Sequence, residues 1–187
     1  MAESARILAA DGPVRALPPA SRLSLRIKDN GGDISRSVAG LSLNLPITRF
    51  AAAGERLAAR LGPGEWLIIG APPQADSLSS EISATLAGQL HAIVDVSQAS
   101  VAFAVEGPDA ANILNTGCPL DFDTRHFPAG SATRTVLGKC EIVIFRLSEF
   151  EFRVECWRSF GAYVHSFLQE AATCNRSAHA QTAELPQ

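Results

Sequence analysis

The sequence predicts an α+β fold built from two ferredoxin-like units, each with a strand, a helix, a hairpin and a helix. Segments with strand-like alternation are interspersed with segments of helical periodicity, this order occurs twice, and 47% of the 187 residues are hydrophobic. We expect an extended arm over residues 1–20, an α+β domain over 21–173 with pseudo-repeats of about 21–90 and 91–173, and a flexible tail over 174–187.

The first repeat opens with a strand and a hairpin. "RLSLRI", Arg22 to Ile27, alternates at the strand period, and a turn then leads to a short helix predicted from about Ile34 to Leu43. Apolar runs at Leu57 to Leu61 and Trp66 to Ile69 flank the turn signal Gly62-Pro63-Gly64, which predicts a hairpin.

A helix over "ADSLSSEISATLAGQL" closes the first repeat. Ser77 or Ser79 can cap its amino end. Apolar side chains recur every four residues and predict one buried face, formed by Leu78, Ile82, Leu86 and Leu90.

The second repeat has the same order with one extra hairpin. "HAIVDVS" and "SVAFAVEG" are predicted strands, and Pro108 opens a helix over "PDAANIL". A hairpin turning near Gly138 and Lys139, the strand "FEFRVECW" and the amphipathic helix "SFGAYVHSFLQEAA" follow. "RFAAAG" at Arg49 to Gly54 resembles "HFPAG" at His126 to Gly130 in the corresponding place of each half.

Composition and charge exclude several functional classes. The formal net charge is −3 and the basic residues are scattered, so nucleic acid is not an expected partner. No apolar run approaches the ~20 residues of a membrane-spanning helix, and Glu3 and Asp11 interrupt the start where a signal peptide needs apolar residues. We therefore expect a cytoplasmic protein that does not bind membranes. Reduced thiols are expected because four cysteines lack metal-knuckle or disulfide-scaffold spacing: Cys118, Cys140, Cys156 and Cys174.

The segment "GCPLDFDTRHFPAG", Gly117 to Gly130, brings together side chains that could take part in catalysis: a cysteine, two aspartates, an arginine and a histidine. Cys118 would need a base such as His126 to act as a nucleophile, and a small buried side chain is the favoured interpretation. Asp121 and Asp123 would point to one side of an extended segment like an acid–base pair, but hydrogen bonds within a turn are favoured. No catalytic residue is predicted.

The spacing of residues elsewhere in the sequence supports neither a metal site nor a nucleotide site. His165 lies in the closing helix with no metal ligand four residues away, and no glycine-rich nucleotide-binding motif occurs. Trp66 and Trp157 are interpreted as core or interface anchors. We therefore expect no cofactor and no metal in this chain.

Several strings occur in an order that resembles the gamma subunits of heterotetrameric sarcosine oxidases. They extend over about Leu23 to Ala172, and the most specific are "LGPGEWLIIG" and "GCPLDF" followed by "HFPAGSATRT". "AIVDVSQASVAFAVEGPDAANIL" and "RSFGAYVHSFL" complete the set. The resemblance implies a fold like the folate-binding domain of aminomethyltransferases, and a complex that oxidatively demethylates sarcosine or a related N-methyl amine to glycine, yielding hydrogen peroxide and a one-carbon unit.

The resemblance also implies where the cofactors lie. An alpha subunit would bind a dinucleotide such as NAD and tetrahydrofolate, a beta subunit would bind FAD and share a covalent FMN, and a delta subunit would bind zinc. The present chain would be a non-catalytic subunit, and its candidate interface or structural residues are Cys118, Pro119, Asp121, Arg125, Phe127 and Trp66.

The segment from Gly117 to Gly130 is accordingly interpreted as a structural and docking element. Gly117 would end a helix, Pro119 and Pro128 would stiffen the path, and Arg125 with the acidic pair would face a partner. Two alternative functions also fit the sequence. One is a stand-alone folate-binding or one-carbon transfer domain using Asp121 or Asp95, and the other is a small interaction module unrelated to flavins.

Overall fold

The structure is a computed structural model that describes the backbone of residues 12–28 and 37–183 and the side chains of 12–28 and 37–176. The strands are β1 Val14–Ala16, β2 Ser21–Ile27, β3 Ser37–Val38, β4 Leu41–Ser42, β5 Arg49–Ala53, β6 Arg56–Gly62, β7 Glu65–Gly70, β8 His91–Asp95, β9 Ser100–Glu106, β10 Ala132–Leu137, β11 Cys140–Ser148 and β12 Glu151–Trp157. The helices are α1 Ala75–Thr85, α2 Ala110–Asn115 and α3 Gly161–Ala183, with a 3₁₀ turn over Arg158–Phe160.

The chain forms two compact units that each contain a five-stranded sheet. Unit one comprises the described residues within 1–17, 101–129 and 135–187, with strand order β1-β9-β12-β11-β10. Unit two comprises those within 18–100 and 130–134, with strand order β5-β6-β7-β2-β8. The predicted α+β class is therefore confirmed.

The core of unit two lies between its sheet and α1. Alternate residues of β2, namely Leu23, Leu25 and Ile27, are buried, as the strand-period alternation predicts. From α1 and the residue that follows it, Leu78, Ile82 and Leu86 join this core, because a spacing of four keeps side chains on one helix face.

The core of unit one lies between its sheet and the helices α2 and α3. Strands β9, β11 and β12 contribute alternate apolar residues such as Val105, Ile144 and Val154. Helix α3 contributes Val164 and Leu168, which are four residues apart and buried. The predicted closing helix is confirmed over its apolar part.

The predicted hairpin with the turn Gly62-Pro63-Gly64 is confirmed as β6 and β7. Gly64 has φ +63°, a conformation that L side chains rarely adopt, and a Cβ there would collide with the carbonyl oxygen of Ile27. The hairpin turning at Gly138 and Lys139 is likewise confirmed as β10 and β11.

The helix predicted from Ile34 to Leu43 is wrong over its described part. Residues 37–42 instead form the short antiparallel pair β3 and β4, which turns at Ala39 and Gly40, both with positive φ. Val38, Leu41 and Leu43 are buried, and Val38 lies opposite Leu41 in this strand pair. Residues 34–36 lie outside the described part of the chain.

Helix α1 is shorter than predicted. It ends at Thr85, and Gly88 follows with φ +85°, so Leu90 lies beyond the helix and is 67% exposed. Neither predicted serine caps the helix: Gln74 occupies the N-cap position, and the hydroxyl of Ser77 donates to the carbonyl of Gln74.

The boundaries of the units also differ from the predicted repeats. Strand β8 pairs with β2, so His91–Asp95 belongs to unit two and not to the second predicted repeat. The chain returns to unit one only at Val101. Alternation in a sequence cannot tell which sheet a strand joins, since that depends on long-range pairing.

Both predicted terminal segments contain regular structure. Val14–Ala16, within the predicted arm, forms β1 and pairs with β9. Helix α3 continues to Ala183, past Cys174, where a tail was predicted. Alanine and glutamine have high helix propensity, so the helix can continue without an apolar stripe.

Helix α2 begins at Ala110, so Pro108 precedes the helix and does not open it. Among the described residues no helix is long and apolar enough to span a membrane.

Candidate functional site

The segment between α2 and β10 is attached to unit one by apolar side chains; its residues 118–129 are called the connecting loop. Cys118, Phe122 and Phe127 are buried in the core of unit one. The ring of Phe122 packs edge-on against Phe127 at 5.6 Å and against Phe152 at 5.4 Å between centroids. The loop is therefore anchored at three points along its length.

A buried arginine on β11 adds a polar anchor. Arg146 is 3% exposed, and its Nη1 donates to the carbonyl oxygens of Phe122 and Phe127, each at 2.7 Å. Its Nη2 donates to the carbonyl of Glu149 at 2.7 Å, and its Nε to that of Ser148 at 3.3 Å.

The same guanidinium lies over the ring of Phe152, with its carbon 5.0 Å from the ring centroid. A buried charge is tolerated only where hydrogen bonds replace water, and four carbonyl oxygens do so here. Arg146 thereby holds the backbone on both sides of the exposed part of the connecting loop.

The exposed part contains two polar pairs. Nδ1 of His126 lies 2.6 Å from Oδ2 of Asp121, and both side chains are 63% exposed. Nε and Nη2 of Arg125 donate to the two carboxylate oxygens of Asp123 at 2.9 and 2.7 Å, while the Arg125 side chain stays 79% exposed. The favoured turn interpretation is confirmed, because the amides of Asp123 and Arg125 donate to the carboxylates of Asp121 and Asp123.

These hydrogen bonds shift the acidity of the groups. The pKa of Asp121 is lowered, first by the amide of Asp123 and then by the ring of His126. The pKa of Asp123 is lowered strongly by the Arg125 guanidinium and amide, and that of Arg125 is raised by Asp123. Both carboxylates are therefore ionised near neutral pH.

The structure does not pair Cys118 with His126. The Sγ atom of Cys118 lies 3.8 Å from Oγ1 of Thr135, and the imidazole of His126 contacts Asp121 instead. A cysteine nucleophile requires a base in contact. The burial of Cys118 therefore fits its interpretation as a small core side chain.

Gly117 directly follows the C-cap of α2, where a helix stop was predicted, and it also has a packing role. Helix α2 ends at Asn115 with Thr116 at its C-cap, and a Cβ on Gly117 would collide with Cζ of Phe167 on α3. The amide of Gly138 donates to the carbonyl of Gly117 at 2.8 Å. Glycine is needed here because the ring of Phe167 packs directly on the backbone.

Trp66 and Trp157 have opposite environments. Trp66 is 1% exposed in the core of unit two, so of its two proposed roles the structural one fits. Trp157 is 52% exposed at the end of β12, where an interface anchor would lie. Pro119 is exposed at the start of the connecting loop.

The remaining candidates also have partners within the chain. Asp95 accepts hydrogen bonds from the amide and hydroxyl of Ser97 at 2.8 and 2.5 Å. His165 stacks on Phe103 with centroids 5.5 Å apart. Asp95 and Asp121, the carboxylates proposed for a pterin, belong to different units.

No group of three or more His, Cys, Asp or Glu side chains among the described residues could hold a metal ion. A cavity of about 370 Å³ in unit one is lined by Glu106, Asp109 and Arg176 among others, and by none of the candidate site residues.

Sequence reasoning missed Arg146. It lies in the run "EIVIFRL", directly after the buried residues Ile144 and Phe145 of β11. A lone arginine inside an apolar strand is a signal for a buried, fully hydrogen-bonded charge.

A protein-family model described as "Sarcosine oxidase, gamma subunit family" matches residues 33–174. The sarcosine oxidase subunit gamma of Arthrobacter sp. is 28% identical over 139 residues, which cover 73% of this chain and 68% of that protein. The sarcosine oxidase subunit gamma of Corynebacterium sp. (strain U-96) is 28% identical over 111 residues, covering 59% of this chain and 53% of that protein.

Two solved structures share the fold. A chain of the heterotetrameric sarcosine oxidase from Corynebacterium sp. U-96, in complex with pyrrole 2-carboxylate, superposes with a TM-score of 0.73 at 23% identity, covering 86% of this chain and 83% of that chain. The glycine cleavage system aminomethyltransferase T from Bartonella henselae superposes with a TM-score of 0.62 at 14% identity, covering 83% of this chain and 44% of that chain. The predicted likeness to an aminomethyltransferase-type domain is therefore confirmed.

Proposed function

The chain belongs to the sarcosine oxidase gamma subunit family, and from this premise we propose that it is a non-catalytic subunit that docks onto the larger subunits of the oxidase. The complex oxidatively demethylates sarcosine, or a related N-methyl amine, to glycine, with release of hydrogen peroxide and a one-carbon unit. The partners are alpha, beta and delta subunits, and these hold NAD, tetrahydrofolate, FAD, FMN and zinc. The family match favours this function over a stand-alone folate-binding domain.

One observation carries the docking role: a buried arginine fixes the backbone of a loop whose charged side chains face outward. Arg146 binds the carbonyls of Phe122 and Phe127. Arg125 and His126 between them are exposed, and so is Asp121 directly before Phe122. A recognition loop requires a backbone that the protein holds in place from inside, and it requires no catalytic side chains.

Pre-organisation has a definite energetic consequence for docking. Ordering a flexible segment on binding opposes association, so a loop that is already ordered loses less entropy. Exposed charges at an interface increase specificity and association rate more than they increase affinity. The connecting loop thus suits recognition of one orientation of a larger subunit.

The test is an affinity purification of the tagged chain from its native host, with mass spectrometry and an absorption spectrum of the eluate. We expect larger subunits and the absorption of an oxidised flavin. A colourless chain that elutes alone would contradict the proposal. Titration of that solitary chain with tetrahydrofolate would then examine the stand-alone alternative.

A further inference from the structure

The open edge of the sheet in unit two is a second surface that a partner can recognise. Strand β8 is the last strand of the order β5-β6-β7-β2-β8, and among the described residues no strand pairs with its outer side. Its neighbour β2 runs antiparallel to it, with Leu25 opposite Ile93.

The register shows which backbone groups face the open side. The amide of Lys28 donates to the carbonyl of Leu90, and the amide of Val96 donates to the carbonyl of Arg22, each at 2.9 Å. Backbone bonds alternate along an antiparallel strand, so Ala92 and Val94 also bond toward β2. The N–H and C=O groups of His91, Ile93 and Asp95 therefore point away from the sheet.

The side chains at this edge lack the usual protection. Natural edge strands carry lysine, proline or bulges that prevent pairing with another strand. His91–Asp95 contains no lysine, arginine or proline, and Leu90 and Val94 are 67% and 58% exposed. The one carboxylate of β8, Asp95, lies at the end of the strand and is hydrogen-bonded to Ser97. A largely apolar edge with outward backbone groups is the surface to which an extended peptide adds as a strand.

We propose that β8 accepts an extended segment of another oxidase subunit as a sixth strand of this sheet, an inference that rests on the proposed function. The incoming segment bonds to the backbone of His91, Ile93 and Asp95. Its alternate side chains are apolar, because they lie beside the exposed side chains of Leu90 and Val94. Another subunit is the occupant that the gamma subunit family and the heterotetrameric oxidase of the same fold favour.

Hydrogen exchange of single amides tests this pairing in the purified complex. We expect the amides of His91, Ile93 and Asp95 to exchange about a hundredfold more slowly in the complex than in the isolated chain. The amides of Ala92 and Val94 bond to β2 and should be protected in both, which makes them internal controls. Slow exchange of His91 and Ile93 already in the isolated chain would mean that the chain covers its own edge, and would overturn the proposal.

A pair of variants at one exposed position provides the second test. Val94→Lys introduces the charge that natural edges carry, and we expect about a tenfold loss of subunit recovery with an unchanged melting temperature. Val94→Thr retains a β-branched side chain without charge and should recover the subunits like the wild type.

The outcomes separate this inference from the docking role of the connecting loop. Full recovery by Val94→Lys, with loss of recovery by Arg125→Ala, would refute the edge proposal and leave the proposed function intact. An isolated chain that is dimeric and becomes monomeric on Val94→Lys would replace the subunit segment by a second copy of this chain. A wild-type chain that retains no other subunit would refute both.

Discussion

Nδ1 of His126 lies 2.6 Å from Oδ2 of Asp121, a contact that closes the exposed part of the connecting loop on itself. The other oxygen of this carboxylate accepts the amide of Asp123 at 2.9 Å. One side chain thus holds both a ring and a backbone group in place, and its loss should loosen the loop without affecting the core.

Asp121→Ala should therefore increase the mobility of residues 121–126. We expect backbone NMR order parameters to fall from about 0.85 toward about 0.6 there, while those of α3 stay unchanged. His91→Ala, which changes a half-buried histidine of β8 in unit two, serves as the control. Order parameters in the loop that do not respond to Asp121→Ala would mean that Arg146 and the buried apolar side chains maintain its conformation without Asp121.

Arg125→Ala should weaken assembly without changing the fold, since this side chain is 79% exposed and paired within the loop. Removing a charge at an interface chiefly slows association, so we expect about a tenfold lower association rate that depends less on salt. Surface plasmon resonance against the larger subunits measures both. Arg15→Ala removes an exposed arginine paired with Glu106 and is the matched control. If the Arg125 variant and the wild type associate with the larger subunits at identical rates, the connecting loop is not part of the interface.

Arg146→Met should destabilise unit one by about 3 kcal/mol or more, because buried carbonyl oxygens lose their donors. Arg146→Lys keeps the charge but has no planar fork, so it should restore only part of that loss. Urea unfolding followed by circular dichroism gives the free energies of unfolding. A loss below about 1 kcal/mol would indicate that water replaces the guanidinium, and the anchoring role would then be wrong.

Glu65→Gln should lower stability in a pH-dependent way. The hydrogen bond from Arg134, at 2.7 Å, holds the pKa of Glu65 below its ordinary value, and burial opposes this. A carboxyl with a lowered folded pKa stabilises the protein above its unfolded pKa, near 4.3, and loses that contribution as pH falls through the folded value.

The stability difference between wild type and Glu65→Gln should be about 1 kcal/mol at pH 7 and shrink below about pH 4. Thermal melts at closely spaced pH values measure it. Glu106→Gln, in a more exposed pair with Arg15, should change stability less. A difference that grows on acidification would contradict the role of Arg134.

Gly117→Ala should cost about 1–3 kcal/mol, because the added methyl group collides with the ring of Phe167. Phe167→Leu removes the outer part of the ring, so the double variant should be more stable than the sum of the two single losses predicts. If the losses in unfolding free energy of the two single variants simply add in the double variant, the strain does not arise from the contact between Gly117 and Phe167.

Local patterns predicted much of this fold correctly. The hairpin of β6 and β7, the buried face Leu78, Ile82 and Leu86, and the turn hydrogen bonds of Asp121 and Asp123 each depend on residues close in sequence. The errors occurred where neighbours in sequence were insufficient. The supposed helix before Leu43 is a tight strand pair over its described part, and Leu90 lies beyond the end of α1.

The sequence by itself determined the class of fold, the family and the apolar faces, since these follow from periodicity and from ordered motifs. Only the tertiary structure decided that β8 joins β2 and so leaves an open edge, and that Arg146 reaches the loop from 19 and 24 residues away. The first depends on long-range strand pairing, which alternation leaves undetermined because each strand could join several partners. The second depends on a side chain that reaches carbonyl oxygens distant in sequence, which residue spacing does not reveal.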